Sequence, residues 1–189
     1  MQRIVVLLFF VASIQATATH IVGGEFQMTH VSADIYKLDL IIYFDMINGN
    51  PGARDYEISA RIFRNSDHAG IANVRLPLVE EVDVNYLNPS CFSSNFLVSK
   101  LTYSTILSLS PEEFNDPGGY YIAWERCCRN YNITNIFSED PNTGSMRYAG
   151  QAFVLDFPPV IKAGVPFINS SPKFNQPHSD YACINENYY

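Results

Sequence analysis

The sequence predicts an all-β fold: an antiparallel β-sandwich of immunoglobulin-like kind, stapled by disulfides. Three observations carry the prediction. Short runs rich in β-branched and aromatic residues alternate apolar with polar about seven times along the chain, with Gly, Pro and Asn clusters between them. No stretch has the period of an amphipathic helix of useful length, and no internal repeat is present. The chain opens with an export signal and carries four cysteines beyond it, as expected for an oxidising compartment.

The composition bounds the function classes. A chain of 189 residues with 47% hydrophobic and 14% aromatic content can pack one sizeable domain, so it is not a disordered polymer. The formal net charge of -7 argues against a nucleic-acid partner, whose phosphates demand a basic face. Arg3, the apolar run Ile4 to Ile14 and the small-x-small pattern Ala16-Thr17-Ala18 predict a signal peptide over residues 1–18, leaving a mature chain from Thr19. That run is shorter than the roughly 20 residues that span a bilayer, and no later run is longer, so no transmembrane segment is expected after cleavage.

The elements follow in order. Glu25 to Val31 reads as a first or edge strand after the break at Gly23-Gly24. Tyr36 to Phe44 alternates strictly, with Tyr36, Leu38, Leu40, Ile42 and Phe44 on one face. The turn cluster 48–52 leads to Tyr56 to Arg64, where Ile58, Ala60 and Ile62 alternate with polar residues, so these two runs are expected to pair as neighbours. Val74 to Leu78 and Val82 to Tyr86 read as a strand region broken by Pro77 and Glu80-Glu81, suited to an edge. Leu97 to Leu109 places Leu97, Leu101, Tyr103, Leu107 and Leu109 on one face, and Ser110-Pro111-Glu112-Glu113 predicts a single helical turn. The turn 115–119 then opens into Gly118 to Asn130, which holds the only tryptophan and a core strand carried by Tyr120, Ile122 and Trp124. Tyr148 to Phe157 alternates again, with Ala149, Phe153, Leu155 and Phe157 on one side. Beyond Pro158-Pro159 the chain is expected to run extended, without a closing strand.

The candidate site residues are the cysteines Cys91, Cys127, Cys128 and Cys183. Neighbouring residues on a strand point to opposite faces, so Cys127 and Cys128 should reach different partners, one pairing with Cys91 and the other with Cys183. Adjacent cysteines lack the ligand spacing of a zinc site, and no cofactor or metal is expected. Ile21-Val22-Gly23-Gly24 matches the N-terminus of activated trypsin-like proteases, but no Gly-Asp-Ser-Gly-Gly segment accompanies it, and His20, His30, His68 and His178 lie outside any catalytic context. Carboxylate pairs such as Asp55 with Glu57, or Glu80 with Glu81, have the chemistry of glycoside hydrolysis, and their default reading is a solvated strand face. Asp116, Glu139 and Asp140 lie in loops without the spaced pattern of a calcium site. Asn132-Ile133-Thr134 and Asn169-Ser170-Ser171 fit the N-glycosylation sequon.

Three segments in order carry a family resemblance: Thr19-His20-Ile21-Val22-Gly23-Gly24-Glu25; Glu125-Arg126-Cys127-Cys128-Arg129-Asn130 at the end of the aromatic run; and Asn169 to Phe174 leading to Ala182-Cys183-Ile184-Asn185-Glu186. Across the mature chain they resemble the N-terminal domain of large secreted surface proteins of Bacteroidetes that carry gliding-motility-associated or type IX sorting C-terminal domains. The resemblance implies a secreted or cell-surface, adhesin-like protein in which a β-sandwich over residues 19–168 is followed by an extended segment, 169–189, leading towards a next domain. It further implies that one family bridge is lost as a pair, because Met46 stands where members often carry a cysteine after the aspartate matching Asp45, and the second cysteine that members often carry downstream of the position matching Cys91 is missing too.

The expectation is therefore a non-enzymatic extracellular structural or adhesive module, linked to gliding or surface attachment, whose partner is an extracellular protein or polysaccharide surface. The alternative is a secreted carbohydrate-active or other hydrolytic module using surface carboxylates.

Overall fold

The computed structural model describes residues 21–49, 54–84, 97–126 and 150–173. Seven strands make one antiparallel sheet: β1 (Ile21–Ser32), β2 (Ile35–Asp45), β3 (Glu57–Arg64), β4 (Gly70–Asp83), β5 (Val98–Ser108), β6 (Tyr120–Arg126) and β7 (Gln151–Phe157). Their order is β1-β2-β5-β4-β3-β6-β7, and β7 comes round against β1, so the sheet curls nearly into a barrel. At that closure Phe153 of β7 lies 3.0 Å from where a Cβ on Gly24 of β1 would sit. A small hairpin of β8 (Ile161–Lys162) and β9 (Val165–Pro166) follows.

Alternation explains the packing. On β2, Tyr36, Leu38, Leu40, Ile42 and Phe44 are all buried, and so are Ile58, Ala60 and Ile62 on β3. The second face of β2 is also partly covered: Ile41 is buried, and so is Asp39, whose carboxylate accepts from Ser104 Oγ at 2.5 Å and pairs with Lys37 Nζ at 3.0 Å. Burying a charge is tolerated there because it is hydrogen-bonded and paired.

β6 sits between β3 and β7, with Ile122 aligned to Ile62 on one side and Leu155 on the other. Tyr120, Ile122 and Trp124 point inward; Tyr120 stacks on Phe157 at 5.6 Å and Trp124 on Phe153 at 5.6 Å. The turn before β6 is closed by Gly119 N–H donating to Asp116 C=O at 2.9 Å, and Gly119 has φ +75°, the left-handed region that glycine enters without strain. The segment after β5 makes one hydrogen-bonded turn, in which Glu113 and Phe114 N–H both donate to Ser110 C=O, and it drives Phe114 into the core.

Three expectations are corrected. The strands over 36–44 and 56–64 are not neighbours: β2 pairs with β1 and β5, whereas β3 pairs with β4 and β6. Two alternating runs fit any antiparallel partner, so local pattern does not choose between a hairpin and a crossing. The region over 74–86 is not a broken edge either, because β4 is continuous from Gly70 to Asp83 and lies mid-sheet. Leu78 N–H donates to Tyr56 C=O on the β3 side. By alternation the Pro77 nitrogen then faces β5, whose pairing with β4 begins only at Leu78, so the missing donor breaks no ladder bond. Finally, the chain after Pro159 does not simply run extended. Ala163 (φ 51°) and Gly164 (φ 79°) form the two-residue turn of the β8–β9 hairpin. The following residues then cap β1: Met28 N–H donates to Ser171 Oγ at 2.8 Å, Ser171 N–H to Met28 C=O at 2.8 Å, and His30 N–H to Ser170 Oγ at 3.0 Å. Those caps cover backbone groups that an edge strand would otherwise leave open.

Candidate functional site

Strand β4 changes partner along its length, and the change opens a seam in the wall. Residues Glu57 to Phe63 pair with β4 from Pro77 back to Gly70, whereas β5 pairs with β4 only from Leu78 to Asp83. A register irregularity between Leu78 and Glu80 marks the bend. β5 itself continues to Ser108 alongside β2. The first half of β4 and the second half of β5 therefore diverge, and between them lies a cleft of about 360 Å³ whose lining includes Asn73, Arg75, Thr105, Ile106, Ser108 and Glu113.

The direction of the backbone in this seam follows from the bonds around it. Leu109 N–H donates to Asp34 C=O and Leu97 C=O accepts from Met46 N–H, so odd-numbered residues of β5 face β2. In a strand the N–H and C=O of one residue point the same way and neighbours alternate. Ser104, Ile106 and Ser108 thus direct their backbone groups at the seam, as do Asn73 and Arg75 from the β4 side. Below them the inner-face residues Ala72, Thr105 and Leu107 are only half-buried, while Leu76 and Leu101 on the same strands are 0% and 1% exposed. Outside, Ile106 is 59% exposed. Chemically this is an open ladder over an apolar floor.

A second cluster lies where β5 and β6 approach the segment before β3. Asp55 pairs with Arg126, and Arg54 with Glu81. The Tyr103 hydroxyl donates to the Asp55 C=O at 2.9 Å, and burial, reinforced by the Asp55 charge, pushes its pKa up to about 12. Tyr103 thus stays protonated and serves as a structural donor. A small cleft of about 160 Å³, lined by Phe44, Met46, Gly49, Arg54 and Tyr56, sits beside it.

A third cluster is the outward ladder on β3 and β6. Arg61 lies 5.3 Å over the Phe63 ring, Phe63 stacks on Tyr121 at 5.0 Å, and the His68 Nδ1 meets the Tyr121 hydroxyl at 3.2 Å. The contacts run from strand to strand, so the ladder reads as cross-strand support of the sheet.

The residues singled out in the sequence fall as follows. Tyr120, Ile122 and Trp124 are core residues of β6. Cys91, Cys127, Cys128 and Cys183 lie outside the described residues, as do Glu139, Asp140, Asn132, His20 and His178. Asp116 spends its carboxylate on the turn before β6, accepting from Gly118 N–H at 2.8 Å and Ser66 Oγ at 3.0 Å. Asp55 and Glu57 do not form a pair of free carboxylates; the first meets Arg126 and the second lies 3.8 Å from Arg75. Glu81 is paired with Arg54, and Glu80 accepts from Thr102 Oγ1 at 3.4 Å. His30 packs edge-on against Tyr36 at 5.1 Å. Among the described residues no three His, Cys, Asp or Glu side chains gather to hold a metal, and no helix is long and apolar enough to cross a membrane. Sequence reasoning missed the seam; its one local signal is Pro77, a residue that avoids a fully paired central strand.

Comparison with protein-family models, with curated proteins and with solved structures finds no match to this chain.

Proposed function

We propose that this chain is a non-enzymatic structural or adhesive module exported to a bacterial surface, similar to the N-terminal domain of the large Bacteroidetes surface proteins with gliding-motility-associated or type IX sorting C-terminal domains. In this reading the two halves of the sheet, hinged through β4, are the layers of an immunoglobulin-like sandwich. Cys127 and Cys128, directly after β6, fasten it to Cys91 and Cys183. The partner is an extracellular protein or polysaccharide surface.

The observation that carries the reading is the filled interior. Tyr120, Leu38, Leu40, Ile62, Leu76, Leu101, Leu109 and Ile122 are fully enclosed, and the void bounded by Met28, Tyr36 and Phe157 measures only about 10 Å³. That interior void has room for roughly one water, and the larger clefts among the described residues lie in the β4–β5 seam and beside Arg54. The hydrolytic alternative draws no support from the carboxylates it would use, since Asp55 pairs with Arg126, Glu57 lies 3.8 Å from Arg75, Glu81 pairs with Arg54 and Glu80 accepts from Thr102 Oγ1.

Export and stapling test the reading together. Expressed with its own leader in a bacterial host, the protein should begin at Thr19, be cleaved by protease added to intact cells, and contain no free thiol. Recovery from the cytoplasm with residues 1–18 attached and four free thiols would overturn it.

A further inference from the structure

We infer that the seam between β4 and β5 is an acceptor for an extended strand of a partner polypeptide, which completes the wall by pairing with the outer edge of β5. The inference deepens the reading of the chain as a binding module and rests on it for the partner's setting.

Two independent observations converge on a strand as the occupant. Among the described residues no strand pairs with the backbone groups of Ser104, Ile106 and Ser108 that point into the seam, because the β4 ladder stops at the pair Leu78 with Tyr103. An extended peptide supplies the matching donors and acceptors at the same spacing. The floor is the second observation: Ala72, Thr105 and Leu107 are left half-buried on the core face, whereas Val74, Leu76 and Leu101 on the same faces of these strands, and Leu109 just past β5, are sealed. Alternate apolar side chains of an inserted strand would cover them, while the intervening polar side chains would lie outside among Asn73, Arg75 and Ser108. An amphipathic β-strand has that pattern, whereas a sugar would leave the apolar floor poorly covered and a helix could not satisfy the β5 edge.

The orientation follows from the sheet. β4 pairs antiparallel to β5 up to Leu78 and then departs, so the guest that continues the same ladder runs antiparallel to β5. Among the described residues, the β1 edge offers a weaker template, since it is capped by Ser170 and Ser171 and approached by β7.

The test uses the whole protein, labelled for amide NMR, and the capped peptide Ac-Thr-Val-Ser-Val-Ser-Val-Thr-NH2 titrated to about 1 mM. The expected result is a saturable shift of the Ser104, Ile106 and Ser108 amides. Their hydrogen exchange should slow about tenfold when free peptide reaches ten times its Kd. The same peptide carrying N-methyl groups on the amides that face β5 should bind at least tenfold more weakly. Ile106→Pro removes a donor aimed at the seam and leaves the β2 ladder intact, so it should abolish binding with an unchanged circular dichroism spectrum. If that variant fails to fold, the N-methyl comparison decides. Equal binding of the methylated peptide, absence of shifts at these three amides, or their protection by a dimer of this chain would each overturn the inference. Failure of export would overturn the surface reading and leave these amide results standing.

Discussion

Tyr120→Phe removes a single oxygen from the centre of the described core, and its cost can be worked from the structure. Tyr120 is 1% exposed, and its hydroxyl accepts from the Asp116 N–H at 2.8 Å while donating to the Glu113 C=O at 3.0 Å. Those two bonds tie the hydrogen-bonded turn after β5 to the turn that opens β6. The ring contacts with Phe114 and Phe157 are unchanged by the substitution, so the loss isolates the hydroxyl. At about 1 kcal/mol net for each bond, with two backbone groups left unpaired in a partly buried site, the expected destabilisation is about 2 kcal/mol. For a domain of this size, with a urea m-value of about 2 kcal/mol/M, the midpoint should fall by about 1 M at unchanged m. Tyr121→Phe is the internal control: its hydroxyl meets only the exposed His68 ring, and its cost should stay below about 0.5 kcal/mol. Equal midpoints for the two variants would refute the role assigned to the Tyr120 hydroxyl.

Tyr103 has a pKa raised to about 12 by burial and the Asp55 charge. Because the folded value lies above the ordinary one near 10, the stability it contributes is complete below about pH 10 and is lost as pH rises towards 12; ultraviolet titration of Tyr103→Phe should lack one late-titrating tyrosine that the unsubstituted protein shows beside the raised Tyr36 and Tyr43. Gly119→Ala places a Cβ 2.8 Å from the Phe157 carbonyl oxygen at φ +75°, and should lower stability by about 2 kcal/mol in a thermal melt. Ala163→Asn gives the β8–β9 turn a residue at ease with positive φ, and should raise the melting temperature slightly, by about 0.5 kcal/mol of stability.

What was legible in the sequence was set by side-chain alternation. Tyr36 to Phe44, Ile58 to Ile62 and the inward set Tyr120, Ile122 and Trp124 announce both a strand and the face it buries, because a period of two admits one answer once a core exists. Strand neighbours were not legible in this way. β2 leaves β3 for β5 through contacts made far along the chain, and Pro77 reads as a sheet breaker until the partner change at Leu78 shows that its nitrogen faces open space. The β8–β9 hairpin was missed because Ala163 is a weak turn signal in a place where asparagine or glycine is the usual one. The seam was invisible for a similar reason. Thr105, Ile106 and Leu107 form an ordinary strand pattern, and nothing local records that β4 has moved away.

β4 diverges from β5 beyond Leu78, and amide hydrogen exchange of the free protein measures that divergence directly. Leu101, Tyr103, Thr105 and Leu107 point their N–H groups at β2 and should exchange slowly along the whole strand. Ser104, Ile106 and Ser108 should exchange at least tenfold faster than those neighbours, in strict alternation. Uniform protection from Leu101 to Ser108 would mean that the wall is already closed there, and would contradict the account.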